Sequence, residues 1–147
     1  MNITLLKHSP STLALSLPVS AVKVSAGIGG FPSPSNDYAE EGLDLNQLLI
    51  KRPAATYFAW ATGHSMIDVG ISDGDLLIVD RSVKPTQNAL VVAVIDGEYV
   101  CKILDKHNRQ LLSANGNYPP YQITEDIDCV IEGVITGIVK QPHVRTG

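Results

Sequence analysis

The chain has little from which a cross-linked or metal-built fold could be made. Its 147 residues include two cysteines, Cys101 and Cys129, and no Cys-x-x-Cys or His-x-x-x-His pairing. That excludes a disulfide framework and a zinc site, and no metal or other cofactor is expected. A reducing cytoplasm is the simplest compartment for such a chain. Positive charge is also short: 11 Lys and Arg stand against 15 Asp and Glu, giving a net charge of -4 and a pI near 5.4. Direct binding to nucleic acid needs a basic excess, so any link to DNA should run through a protein partner. No apolar run approaches the roughly 18 residues of a membrane helix, and membrane insertion is not expected. The opening stretch faintly imitates a secretory leader, with an early lysine, an apolar middle and Val24-Ser25-Ala26-Gly27, but Pro10, Pro18 and Lys23 interrupt it.

What is present is a composition of 44% hydrophobic and 18% charged residues, which fits one folded domain with a sizeable core. Residues 1–35 carry scattered Ser, Pro and Gly, ending in Ser-Ala-Gly-Ile-Gly-Gly-Phe-Pro-Ser-Pro-Ser. Pro32 and Pro34 favour extended backbone before them, and the glycines loosen the segment upstream. This reads as an extended N-terminal arm, open to proteolysis, ahead of a domain spanning 36–147. A short helix is expected after Asp44, with Gln47 as a capping-box partner, Leu45, Leu48 and Leu49 as its stripe, and Pro53 as its stop. From residue 56 onward the pattern is β-like. Runs at 56–62, 75–80, 89–95, 98–104 and 129–139 are rich in Val, Ile, Tyr and Leu and are separated by Asp-Gly, Asn-Gly and Pro-Pro turns. Asp96-Gly97 between two apolar runs is a strong hairpin signal. The fold class expected is mainly β, a coiled and closed sheet with one short helix.

Two residues suggest chemistry. Lys102 follows the Asp96-Gly97 turn on a strand that alternates Glu98, Val100, Lys102 and Leu104 on one face. A lysine between Val100 and Leu104 is poorly solvated, and desolvation lowers its pKa and frees an amine to accept a proton. Lowering a lysine pKa by about 3 units costs about 4 kcal/mol, which suggests a use for it. Ser65 sits in the loop Gly63-His64-Ser65-Met66. A serine hydroxyl is a weak nucleophile that needs an adjacent base, and lysine can serve. Gly63 permits a sharp turn, and a helical turn starting at Ser65-Met66 would aim free N–H groups at a developing oxyanion. Taken singly, each residue has an ordinary reading as a turn serine or a solvent-facing lysine. They lie 37 residues apart, so only a fold can unite them.

Together, Phe-Pro-Ser-Pro-Ser-Asn-Asp-Tyr from Phe31, Gly-His-Ser-Met-Ile-Asp-Val-Gly from Gly63 and Val-Val-Ala-Val-Ile-Asp-Gly-Glu-Tyr-Val-Cys-Lys from Val91 resemble the UmuD-type mutagenesis subunits in order and spacing. Those subunits belong with the LexA-like self-cleaving serine proteases, and the resemblance runs from about residue 24 to 140, closest in character to plasmid- or element-borne variants. It implies Ser65 as nucleophile and Lys102 as general base of a peptidase that cuts its own arm, with Gly63, Ser65 and Met66 forming the oxyanion loop. It also implies stimulation by RecA filaments on single-stranded DNA. The shortened homodimer would join a UmuC-like polymerase in error-prone translesion synthesis during the SOS response. The short arm leaves no room for the helix-turn-helix of the repressors in that group. His64 departs from the usual Gly-Asp-Ser-Met and is read as a solvated loop side chain. The scissile bond has two candidates: the pattern Val-x-Ala-Gly selects Ala26-Gly27, and counting back from Phe31-Pro32 selects Gly29-Gly30. Ala26-Gly27 is favoured, because alanine suits a shallow pocket and glycine lets the chain approach the serine. Trp60 is expected in the core or a dimer contact, and Cys101 on the face opposite Lys102, simply buried. A non-cleaving dimeric binding module that only regulates the polymerase is the alternative. A membrane-bound signal peptidase is disfavoured by the missing anchor.

Overall fold

The computed structural model describes residues 2–6, 15–20, 38–125 and 129–142, with backbone alone at 5–6 and 38–41. The chain forms two compact units, Met1–Pro10 with Arg52–Gly147, and Ser11–Lys51. Part of the region read as an arm is therefore built into the β-rich unit.

The smaller unit holds two antiparallel strands, β2 (Leu17–Ser20) and β3 (Tyr38–Leu43), with Leu17 opposite Leu43, followed by helix α1 (Leu45–Leu49). Asp44 caps α1 as expected, accepting a hydrogen bond from the Asn46 N–H at 2.9 Å. Leu45 and Leu48 of its stripe are exposed. The helix ends at Leu49, and Pro53 opens a separate 3-10 turn over Pro53–Ala55.

The larger unit is one antiparallel sheet. Its strands are β1 (Asn2–Leu6), β4 (Thr56–Thr62), β5 (Leu76–Asp80), β6 (Leu90–Ile95), β7 (Glu98–Asp105), β8 (Gln110–Leu112), β9 (Tyr121–Gln122) and β10 (Cys129–Val139). They are ordered β1-β4-β5-β10-β6-β7-β8-β9, and β1 also pairs with β7 through Asn2 and Val100, which closes the sheet. The expected mainly β, closed architecture is thus observed. The hairpin turn between β6 and β7 has φ of 50° at Asp96 and 82° at Gly97, the positive pair that a tight I′ turn requires.

Closure needs a strand that bends. β10 supplies it, pairing with β6 along its first half and β5 along its second, with register shifts between Ile131 and Gly133 and between Ile135 and Gly137. A Cβ on Gly133 would lie 2.6 Å from Val79 Cγ1 and 3.2 Å from the Asp80 carbonyl, so only glycine fits that bend. Both faces of the sheet bury apolar side chains. Ala59, Ala61, Met66, Leu77, Val79, Val92 and Cys101 form one cluster, and Val91, Ala93, Leu104, Leu111 and Val134 the other. Each fully buried Val, Leu or Met side chain among these adds roughly 1.5–3 kcal/mol. Among the described residues no helix is long and apolar enough to cross a membrane.

Candidate active site

The Ser65 loop leaves the end of β4 and is fixed at several points. Gly63 turns the chain with φ of 94°, a conformation that favours glycine, and its N–H donates to the Asp73 carboxylate at 2.8 Å. A 3-10 turn over Ile67–Val69 follows, and Gly70 ends it with φ of 84°. The N–H groups of Val69 and Ile71 both donate to the Met66 carbonyl, each at 3.2 Å. Met66 itself is fully buried in the core and pins the loop from beneath. Ser65 is 2% exposed, at the floor of a cleft of about 280 Å³ lined by Asn2, Thr62, Gly63, His64, Ser65 and Tyr118. The His64 side chain is exposed, in keeping with a solvated loop position.

Lys102 lies in the middle of β7, opposite Val91 of β6. It is half-buried, and its amine donates to Ser113 Oγ at 2.7 Å. Burial pulls its pKa below the ordinary lysine value of 10.5, the direction expected from its apolar neighbours. Cys101 faces the other way, fully buried, with its thiol pushed up to about 12 by that burial; it is an inert core residue. Trp60 is exposed at the surface of β4, so it is not a core residue of this chain.

One stretch, Ser113–Asn115, touches both Lys102 and the Ser65 loop. Ser113 holds the Lys102 amine; the Ala114 carbonyl accepts from the Asp68 N–H at 2.9 Å; the Asn115 side-chain amide donates to the His64 carbonyl at 3.1 Å. The same three residues therefore contact the Lys102 amine and fasten both flanks of the Ser65 loop. Sequence reasoning missed Ser113 and Asn115, reading this region only as an Asn-Gly turn; a hydroxyl directly after an apolar strand is too common a pattern to select. The expected scissile residues Ala26, Gly27, Gly29 and Gly30 lie outside the described residues.

The other buried acids of this unit are committed to structure. Asp80 accepts from Ser82 Oγ at 2.6 Å and from Arg52 at 3.2 Å. Asp105 is ringed by amides of Gln87, Asn108 and Gln110. Asp75 is paired with Lys140 and accepts from the Ser72 N–H. Among the described residues no group of three or more His, Cys, Asp or Glu is placed to hold a metal ion. The cleft holds the buried Ser65 hydroxyl, and the stretch that fixes the flanks of its loop also holds the Lys102 amine, which does not line the cleft.

Residues 18–136 match the model of the Peptidase S24-like family. This chain belongs to that family. Among relatives of this S24-like chain, protein ImpA of Escherichia coli is 44% identical over 112 residues, which is 76% of this chain and 77% of ImpA. Protein MucA of Escherichia coli is 36% identical over 145 residues, 97% of each chain. The LexA repressor of Alcanivorax borkumensis is 38% identical over 130 residues, 86% of this chain and 60% of the repressor. The kinship with UmuD-type subunits within the LexA-like group, first suggested by the three motifs, is supported by these matches.

Proposed function

We propose that this S24-like chain is a self-cleaving serine peptidase with Ser65 as nucleophile and Lys102 as general base. The supporting observation is a lysine partly withdrawn from water whose amine is fixed to the stretch that also fastens the Ser65 loop. In this reading the neutral Lys102 amine takes the Ser65 hydroxyl proton as Oγ attacks the carbonyl carbon of Ala26. N–H groups of Ser65 and Met66 stabilise the oxyanion, while Gly63, whose own N–H is held by Asp73, contributes the turn rather than the donor expected of it. The ammonium returns its proton to the departing Gly27 nitrogen, and water, deprotonated by the same amine, releases the acyl group from Ser65. Gly29-Gly30 is the alternative bond.

The relatives support a place in SOS mutagenesis, and the rest of the setting belongs to this reading. The chain acts in SOS mutagenesis, RecA filaments on single-stranded DNA stimulate the cut, and the shortened homodimer serves a UmuC-like translesion polymerase. The net charge of -4 supports recruitment to DNA through such partners rather than by direct contact.

Ser65→Ala and Lys102→Ala test the chemistry. Both should leave a folded chain that does not shorten, by intact mass, on incubation at alkaline pH or with RecA, ATP and single-stranded DNA. Continued shortening in either variant refutes the mechanism. A wild-type chain that never shortens instead supports the non-cleaving binding module.

A further inference from the structure

Strand β4, which delivers the Ser65 loop, has two edges, and both are occupied. One pairs with β5 from Thr56 to Trp60, and the other with β1 from Phe58 to Thr62. Strand β7, which carries Lys102, pairs with β6 on one side and with β8 from Ile103 to Asp105 on the other. Ahead of β8 on that second side, Val100 faces Asn2. Asn2 is thus paired to Thr62, three residues before Ser65, and to Val100, two residues before Lys102. Its carbonyl accepts the Thr62 hydroxyl at 2.8 Å, and it lines the cleft together with Ser65.

A peptide that is to be cut must bring its carbonyl to about 3–3.5 Å from the serine oxygen and hold it there. An extended peptide does this most directly by adding to a sheet edge, where backbone hydrogen bonds fix its register. The edge of β4 that leads into the Ser65 loop is such a place, and one edge accepts one strand. We propose that the Phe58–Thr62 edge is an extended-peptide site for the scissile segment, and that residues 2–6 of the chain fill it at rest. The inference rests on the self-cleavage reading above and adds a requirement to it: β1 must leave before the bond is cut. The occupant is suited to leaving. Among the described side chains of β1, Asn2 and Thr4 are exposed and Ile3 packs against the core. Release of β1 also opens the β1–β7 pairing that closes the sheet, uncovering the space between the strands of Ser65 and Lys102.

The test is a reversible clamp in the full-length chain. Thr4 and Trp60 are directly opposed and both exposed, and Cα atoms of opposed antiparallel residues lie about 4.5–5.5 Å apart, within disulfide reach. Thr4→Cys with Trp60→Cys, in a Cys129→Ser background, should form a bridge verifiable by mass. The oxidised protein should self-cleave at alkaline pH at least tenfold more slowly than the same protein reduced. Ile3→Ala, which loosens β1 without a bridge, should cleave several-fold faster than wild type while remaining folded by circular dichroism. Equal rates for the oxidised and reduced clamp overturn the proposal. If wild type cleaves, Ser65→Ala does not, and the clamp has no effect, the occupied-edge inference alone falls. If neither wild type nor the reduced clamp cleaves, the peptidase reading falls and takes this inference with it.

Discussion

Removing the Ser113 hydroxyl is the most informative single change to the proposed mechanism. Ser113→Ala deletes the partner of the Lys102 amine while leaving Ser65, Lys102 and the Ala114 and Asn115 contacts of the loop in place. At 2.7 Å the bond is within the short range of charge-assisted hydrogen bonds. Hydrogen bonds to charged groups contribute about 1.5–3 kcal/mol, and the half exposure of Lys102 reduces this to about 1–2 kcal/mol. If that energy holds the amine in its working position, its loss slows self-cleavage by about 5–30-fold. The pH profile carries a second signature. A hydroxyl that accepts from an ammonium favours the charged lysine, so its removal lowers the Lys102 pKa further. The variant should therefore reach a lower plateau, with its rise displaced to lower pH. Ser113→Thr, which keeps the oxygen, should recover most of the rate. The assay is the rate of chain shortening by intact mass between pH 7 and 11. A Ser113→Ala variant with wild-type plateau and midpoint refutes the reasoning; Ala and Thr variants equally slow show that packing, not the oxygen, matters at this position.

Three further outcomes follow from the same contacts. In a Ser65→Ala background, Lys102→Met should raise the melting temperature at pH 7, because the folded state disfavours the charged lysine; the gap should close as pH rises towards the unfolded value of 10.5, and a gap independent of pH contradicts it. Burial alone would raise the Asp80 pKa, but the Ser82 hydroxyl and N–H and the Arg52 guanidinium hold it below its ordinary 3.8; its contribution is present above that pH and lost below it, so the stability margin of wild type over Asp80→Asn should shrink as pH falls below about 4 in thermal melts. Gly133→Ala should destabilise by about 1–3 kcal/mol in denaturant titrations, since its new methyl meets Val79 and the Asp80 carbonyl at a bend in a central strand; an unchanged midpoint would show that β10 can straighten.

The sheet was legible because strands apolar on both faces and punctuated by Asp-Gly and Asn-Gly leave a strong local trace. The runs expected at 56–62, 75–80, 89–95, 98–104 and 129–139 correspond to β4, β5, β6, β7 and β10 within a residue or so at each end. The short strands β8 and β9, three and two residues long, carry too few residues for any period to show. β1 was illegible for a different reason. Asn-Ile-Thr-Leu-Leu has no turn signals or partner nearby, and its pairing with β4 spans more than fifty residues, so only the closed sheet reveals it. At the site, Lys102 stood out because a charge among valines and leucines breaks the local pattern, and the loop of Ser65 because glycine marks its turn. Ser113 broke no pattern. Its relation to Lys102 is a product of the β7–β8 pairing, which no local rule encodes. The dyad itself was suggested by chemistry and resemblance, and its direct test is kinetic.

The central claim is that the Ser65 hydroxyl, activated by the Lys102 amine, cuts the peptide bond after Ala26 in its own chain. Intact mass of the purified protein before and after incubation at alkaline pH tests it most directly. Self-cleavage there yields a new species corresponding to residues 27–147, absent in Ser65→Ala and Lys102→Ala. A chain that keeps its full mass under these conditions and with RecA, ATP and single-stranded DNA would contradict it.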